Sequence, residues 1–250
     1  FFQSESLIDV PVEDGITEFA PAQDSSHSIV GVEHRFGGEL TLRVEAFRKR
    51  TRKARARYEN LFDPIVLLPE LRPGRVRVAP ESAEAHGLEV LVDGGGAMPW
   101  WFGYSISRVE DVIDGRRVPR SWDQRYALDA GLSREIGRWT LSASASVHSG
   151  WPATAIALDA SAEQPAAVLG ARNAERLRQL RRADFRASRT IDVAVGDLRV
   201  FAELTNVTNR NNPCCLRYEE GSGAGGAPTL LRGERFGLQL TGNLGVLWEF

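Results

Sequence analysis

The stretch Trp139-Thr140-Leu141-Ser142-Ala143-Ser144-Ala145-Ser146-Val147-His148 alternates apolar and polar side chains without a break. Successive side chains of an extended strand point to opposite faces, so this stretch makes a ribbon with one apolar and one polar face. Helical spacing does not fit it. The same alternation recurs outward in both directions. Residues 39–47 set Leu40, Leu42, Val44 and Ala46 against Thr41, Arg43 and Glu45, and residues 85–92 set Leu88, Val90 and Val92 against Gly87 and Glu89. Residues 100–107 present Trp100, Phe102, Tyr104 and Ile106 on one parity, and residues 125–133 present Tyr126, Leu128, Ala130 and Leu132. Residues 198–205 and 238–250 repeat the design, the latter through Leu244, Val246, Trp248 and Phe250. Residues 29–36 and 185–195 are imperfect, because His34 and Arg189 interrupt the apolar face. With a partial strand at residues 1–8, about ten strands are expected, each longer than the usual five or six residues.

A helix laid over one sheet face would leave the same alternation, so the connections arbitrate. Short turns are expected at Gly37-Gly38, residues 93–97, Gly137-Arg138 and Gly196-Asp197. Long polar connections are expected at residues 10–26, 54–82, 111–121, 150–183 and 209–236. Short and long alternate strictly. In an antiparallel up-and-down sheet this puts every tight turn at one rim and every long connection at the other. Outer-membrane β-barrels have that asymmetry, whereas a soluble sandwich has no reason for it.

The 250 residues are 42% apolar and 26% charged, an average that one polar face per strand would produce in a membrane barrel. No run approaches the roughly 20 consecutive apolar residues of a membrane helix. The net charge of −2 gives no sign of a nucleic-acid partner. No cofactor or metal is expected. The polar parity carries Arg43, Glu45, Glu89, Arg125, Asp129, Arg186, Asp192, Arg199 and Glu203, which suit a hydrated interior better than a dry core. Trp100, Phe102, Trp139, Trp248 and Phe250 lie near segment ends, where interfacial aromatic girdles sit. The expected fold is therefore all-β, an antiparallel up-and-down transmembrane β-barrel. Ten strands are about half of a 22-stranded plugged barrel, so the sheet is expected to be open and its edges to pair with further sequence. Phe1 is not an initiator and no signal peptide follows it, which reads as a fragment.

Several stretches resemble one family, the TonB-dependent outer-membrane receptors. Ala202-Glu203-Leu204-Thr205-Asn206-Val207-Thr208-Asn209 resembles their E-L-x-N-x-x-N segment on the penultimate strand. Leu244-Gly245-Val246-Leu247-Trp248-Glu249-Phe250 resembles their terminal strand, whose last aromatic, here Phe250, is read by the barrel assembly machinery. Supporting stretches are Arg57–Leu61, Ser121–Arg125, His148–Pro152 and Asp184–Arg189. The resemblance covers residues 1–250 as the carboxy-terminal portion of the barrel, without plug or amino-terminal strands. It implies a Gram-negative outer-membrane location with a periplasmic carboxy terminus. It also implies uptake of a scarce ligand, such as a ferric siderophore or cobalamin, energised by the TonB complex through an amino-terminal plug.

Local features carry narrower expectations. Tyr58, Trp122, Trp151 and Tyr218 in connections, with Arg125 and His148 on the interior parity, are candidate ligand contacts or simply loop braces. Arg48, Arg50, Arg52 and Lys53 open a basic run at the long-connection end of a strand. They read as a solvated extension or as a clamp on lipopolysaccharide phosphates, which guanidinium groups grip bidentately. The apolar loop at residues 61–75 reads equally as a ligand gate or a packed loop. Adjacent Cys214 and Cys215 leave open a strained disulfide, a partner elsewhere, or a metal ligand pair. His27, His34, His86 and His148 lack ligand spacing, and residues 221–226 read as a flexible Gly-rich tip. Residues 173–182 are expected to form one or two helical turns. The competing functions are a passive porin-like channel, an outer-membrane lipase or protease, and a soluble β-sandwich binding module. No Ser/His/Asp signal supports the enzyme.

Overall fold

The computed structural model describes residues 22–63, 66, 68, 74–159, 166–222 and 228–250. In chain order the strands are β1 (Asp24–Phe36), β2 (Leu40–Arg52), β3 (Arg57–Asn60), β4 (Arg75–Val78), β5 (Ser82–Gly94) and β6 (Trp100–Ile113). They continue with β7 (Arg116–Pro119), β8 (Tyr126–Ile136), β9 (Trp139–His148), β10 (Pro152–Ala153), β11 (Ile156–Asp159) and β12 (Ala166–Leu169). The last are β13 (Glu175–Arg176), β14 (Leu180–Asp192), β15 (Asp197–Thr205), β16 (Pro213–Ser222), β17 (Pro228–Phe236) and β18 (Thr241–Glu249).

Nine strands form one antiparallel meander in the order β1-β2-β5-β6-β8-β9-β14-β15-β18, and β7 adds beside β6. The sheet is open, with β1 and β18 as its edges among the described residues. The expected strand at residues 1–8 lies outside the described residues. Each strand of the meander pairs with the next in chain order, so the turns segregate as the sequence implies. The tight ones join β1 to β2, β5 to β6, β8 to β9 and β14 to β15, all at one rim. Gly37 and Gly38 take φ of 57° and 87°, the left-handed conformation a two-glycine turn requires. Among the described residues no helix is long and apolar enough to cross a membrane, which says nothing of crossing by strands.

The long connections differ from the sequence reading. Rather than bare polar loops, they carry the hairpins β3-β4, β10-β13, β11-β12 and β16-β17, and the strand β7. Cross-strand pairing in these hairpins satisfies backbone groups that a bare loop would leave open. The helical turns expected at residues 173–182 are absent. Asn173 takes φ of 51°, Glu175–Arg176 pairs with Pro152–Ala153, and Leu180 already pairs with His148 as the start of β14. Sheet pairing here outweighs a local helical pattern that a short segment cannot sustain alone.

The register sorts the two faces. Leu42, Val92, Phe102, Ala130 and Ala145 line one row across β2, β5, β6, β8 and β9. Their neighbours on the opposite face include Arg43, Asp129 and Ser146 in a single row. The interruptions have local explanations. Arg189 lies over the ring of its cross-strand partner Trp139, 5.5 Å from the centroid, so its apolar stem and π contact keep the face continuous. His34 packs edge-on against Phe36 at 4.3 Å.

Aromatic residues on the polar parity sit opposite glycines. Phe47 faces Gly87, Trp101 faces Gly131 and Phe201 faces Gly245, each as a direct cross-strand pair. A Cβ on Gly131 would come within 2.5 Å of Trp101 Nε1, so the indole occupies the space a side chain would need. The missing Cβ lets the ring lie flat on the partner strand.

No second layer covers the apolar face among the described residues. Ile106 is 49% exposed and Leu132 46%, although both lie on interior strands of the sheet. Of the buried apolar residues, Ala83 lies at the start of β5, and Val78, Ala153, Leu177, Cys215 and Leu216 lie among the long connections. A soluble sandwich would bury the sheet's apolar side against another sheet. This molecule has a paired, twofaced sheet and a small separate core at one rim.

Candidate functional site

The long-connection rim is built around two buried ionic knots. At the first, Glu59 of β3 is 4% exposed and meets Arg57, Arg172 and the Ser121 hydroxyl, which donates at 2.6 Å. Arg57 also donates to Asp111 at 2.5 Å, and Arg120 Nε donates to the same carboxylate at 2.9 Å. At the second, Asp123 is fully buried. Its carboxylate accepts from the Val109 N–H at 2.7 Å, Arg125 Nε at 2.9 Å and Arg176 Nη2 at 2.6 Å. Arg176 also donates to the carbonyls of Asp123 and Gly150. Three connections therefore meet through charge: β2 to β5, β6 to β8, and β9 to β14.

The fourth, between β15 and β18, adds apolar packing to more exposed ion pairs, Arg178 with Glu234, Arg232 with Glu175 and Arg235 with Asp63. Leu216 of β16 is buried with Ala153 and Leu177, and its N–H donates to the Phe62 carbonyl at 3.1 Å. Tyr218 leans on this cluster, and its hydroxyl accepts from the Ile156 N–H at 3.0 Å. The enclosed space between Asn60, Ser121, Thr154 and Leu216 is about 10 Å³, the size of one water. The packed interior of this layer is thus a brace, and any ligand would meet its surface.

Charge balance keeps the first knot ionised. Burial pushes the Glu59 carboxyl up, but the Arg57 and Arg172 guanidinium groups outweigh it and hold the group below its ordinary value. Burial likewise lowers Arg57, and Glu59 and Asp111 more than reverse this. A carboxyl with a depressed folded-state value contributes stability above its unfolded value and loses it as pH falls through the folded one. Acidification below the ordinary carboxylate range is therefore expected to loosen β3-β4 from residues 171–173 while the sheet stays paired. Hydrogen exchange across a pH series should show this as early deprotection of residues 57–60.

The segment Glu203–Asn209 owes its residue types to geometry. Glu203 accepts from Arg186 Nη1 at 2.7 Å across the β14-β15 pair. Asn206, fully buried with φ of 54°, donates from Nδ2 to the carbonyls of Arg210 and Leu238. Asn209, with φ of 47°, accepts the Leu240 N–H at 3.0 Å. Asparagine tolerates this left-handed backbone and carries both donor and acceptor. The pair therefore fastens the start of the last long connection to its end.

The sequence candidates separate. Arg125, His148 and Trp151 come together: the Arg125 N–H donates to Ser149 Oγ at 2.8 Å, and the His148 and Trp151 rings stack at 5.9 Å. Arg125 and Tyr218 are engaged in the brace. Tyr58 lies apart beneath Arg75, 5.5 Å from its ring, and Trp122 is 40% exposed. At the base of the loop at residues 61–75, Phe62 packs on Gly74 and Tyr218, so that base is a packed one; residues 64, 65, 67 and 69–73 lie outside the described residues. Cys214 and Cys215 are free thiols with sulfurs 2.9 Å apart, and burial, then the Cys214 contact, push the Cys215 thiol up. Of the basic run, Arg48, Arg50 and Arg52 take the apolar-face parity beyond Ala46, while Lys53 leaves the strand with φ of 51°. The sequence reading missed Arg108 and Arg117, which join Arg48 and Arg50 around Glu84 and Glu110. Continuing the parity of β6 past Ile106 would have found Arg108. Of the tip expected at residues 221–226, Gly221 and Ser222 are instead paired strand in β16, and residues 223–226 lie outside the described residues.

No family model and no curated protein matches the chain. Its fold is similar to that of solved outer-membrane proteins. The ferripyoverdine receptor of the outer membrane of Pseudomonas aeruginosa, bound to ferripyoverdine, aligns over 91% of this chain and 27% of its own, with TM-score 0.51 and 13% identity. FpvAI in complex with pyocin S2 aligns over 91% of this chain and 28% of its own, with TM-score 0.53 and 13% identity. The FrpB iron transporter from Neisseria meningitidis aligns over 92% of this chain and 32% of its own, with TM-score 0.52 and 15% identity. The chain thus spans about a third or less of these proteins, and what it shares with them is the fold: an open run of antiparallel barrel strands.

Proposed function

We propose that this chain is the carboxy-terminal barrel portion of a TonB-dependent receptor that imports a scarce ligand, such as a ferric siderophore or cobalamin, through a Gram-negative outer membrane. The observation that carries the reading is the meander itself: one uncovered apolar face, one charged face, and all long connections at one rim. Lipid is the medium in which such an apolar face is at rest, and paired strands leave no backbone group unsatisfied there. The likeness to iron-transporting barrels supports the choice among membrane barrels. In this reading the apolar face meets lipid, the charged face lines a lumen filled by a plug, and further strands continue the edges of β1 and β18. The TonB complex acts through that plug.

The carboxy end of β18 lies beside Asp197 at the tight-turn rim, which in this reading is the periplasmic one, with Phe250, 90% exposed, available to the assembly machinery. The brace then faces outside. The stacked His148–Trp151 pair and Trp122 present ring surface there to ligand, while Tyr58, Arg125 and Tyr218 hold the surroundings. The reading excludes catalysis by this chain.

Cells expressing the full protein, with and without functional TonB, would be given a panel of iron-labelled ferric siderophores and labelled cobalamin. TonB-dependent accumulation of one of them is the expected result. Equal accumulation in both strains would replace the proposal with a passive porin-like channel. Recovery in the soluble fraction, without heat-modifiable gel mobility, would remove the membrane reading altogether.

A further inference from the structure

From the rim of the apolar face we infer that this chain binds a phosphorylated glycolipid of the outer leaflet at a site formed by Arg48, Arg50, Arg108 and Arg117. The inference rests on the membrane reading above, but not on transport. Three observations carry it. The first is the register. Ala46, Leu88 and Ile106 form one row across β2, β5 and β6, and the next row on the same face is Arg48, His86 and Arg108. The face changes from aliphatic to basic in a single step on three adjacent strands, as it would where hydrocarbon gives way to head groups. Arg50, Glu84 and Glu110 form the following row, and Arg117 of β7 pairs opposite Val112 one row further.

The second observation is how the charges are held. Arg48 lies 2.5 Å, Arg117 3.3 Å and Arg50 3.5 Å from Glu84, and Arg117 and Arg108 lie 3.6 and 3.9 Å from Glu110. The carboxylates are recessed, at 16% and 10% side-chain exposure, whereas the four arginine side chains are each more than half exposed. Four positive groups against two negative ones leave a surplus of positive charge directed outward. The two acids fix the arginines in place, which lowers the ordering cost of gripping a phosphate bidentately. The third observation is position: the cluster lies on the apolar-face side, whereas the ionic knots of the brace, through Asp111, take the opposite parity of β6. A soluble ligand entering the lumen would not meet it. A lipid lying along Leu88 and Ile106 would, with its phosphates one row above its acyl chains.

The full protein would be purified in detergent from an outer membrane and its retained lipid A measured by mass spectrometry. The variants are Arg48→Gln/Arg108→Gln/Arg117→Gln, Arg108→Gln alone, and Arg134→Gln as a control on the same face at the opposite rim. Retention of bisphosphorylated lipid A is expected to fall about tenfold or more in the triple variant, severalfold in Arg108→Gln, and not at all in the control. The single variant decides the matter where the triple one fails to fold. Equal retention in all variants overturns the inference. So does displacement of lipid A by millimolar inorganic phosphate, which would make the cluster a free-anion site. Heat-modifiable mobility, read on the same samples, separates failure of this site from failure of the membrane reading, because a protein that is no barrel lacks it before any substitution.

Discussion

Asp123→Ala is expected to unfasten the long-connection layer while leaving the nine-strand sheet paired. Asp123 is fully buried and answers two guanidinium groups and the Val109 N–H at once. Its removal leaves Arg176, about a quarter exposed, without its carboxylate partner beside the Gly150 carbonyl. Removing one partner of a buried ion pair costs about 3–5 kcal/mol, mostly from the charge left behind. The cost falls on the layer because the knot lies above the last β8-β9 pair, Ala127 with His148. Limited proteolysis should therefore cut residues 149–179 at least tenfold faster, while β2, β5 and β6 keep their slow hydrogen exchange. Asp123→Asn should be milder, since its amide oxygen still accepts from Val109. Loss of protection spreading into the central strands would mean that the layer and the sheet form one cooperative unit, against the separation argued here.

Gly131→Val is the second large effect. A Cβ there would lie 2.5 Å from Trp101 Nε1 and 2.8 Å from Cε2, with no backbone atom among its close neighbours. The indole must leave its place on the polar face or the β6-β8 pair must part. Overpacking of this kind costs about 1–3 kcal/mol in well-packed proteins. In a sheet whose strands close by pairing alone, that is enough to slow assembly. Heat-modifiable mobility after refolding should show a reduced folded fraction. Trp101→Ala in the same chain should restore it, because it removes the side chain that the added Cβ strikes. If the double variant folds no better than Gly131→Val, the clash is not the cause.

The same pairing shows which features were legible beforehand. Leu40 to Ala46 and Trp139 to Val147 announce their face by parity, a property of the extended backbone that needs no partner to be read. The glycine turns announce themselves too, since few other residues take the φ of Gly37 and Gly38. Trp101 and Phe201 look like errors in the pattern until the register sets Gly131 and Gly245 opposite them. The hairpins of the long connections were hidden because Pro213–Ser222 and Pro228–Phe236 pair with one another in a polar, weakly alternating stretch. The helix expected at residues 173–182 failed for the complementary reason: its residues are claimed by β10 and β9, which lie apart from it in the chain.

Among the candidate site residues, types were legible and groupings were not. The basic run names Arg48 and Arg50, but only strand pairing brings Arg108 and Arg117 to the same two carboxylates. Arg57, Asp111 and Arg172 are far apart in sequence and meet only in the folded rim. Alternation, turn chemistry and the order of short and long connections are consequences of local stereochemistry, and the sequence by itself determined them: an antiparallel meander, its two faces and its two rims. The tertiary structure alone decided which charges neutralise each other, which aromatic rings rest on glycine, and where the rim is braced. Those depend on distances between residues that the chain order leaves unrelated.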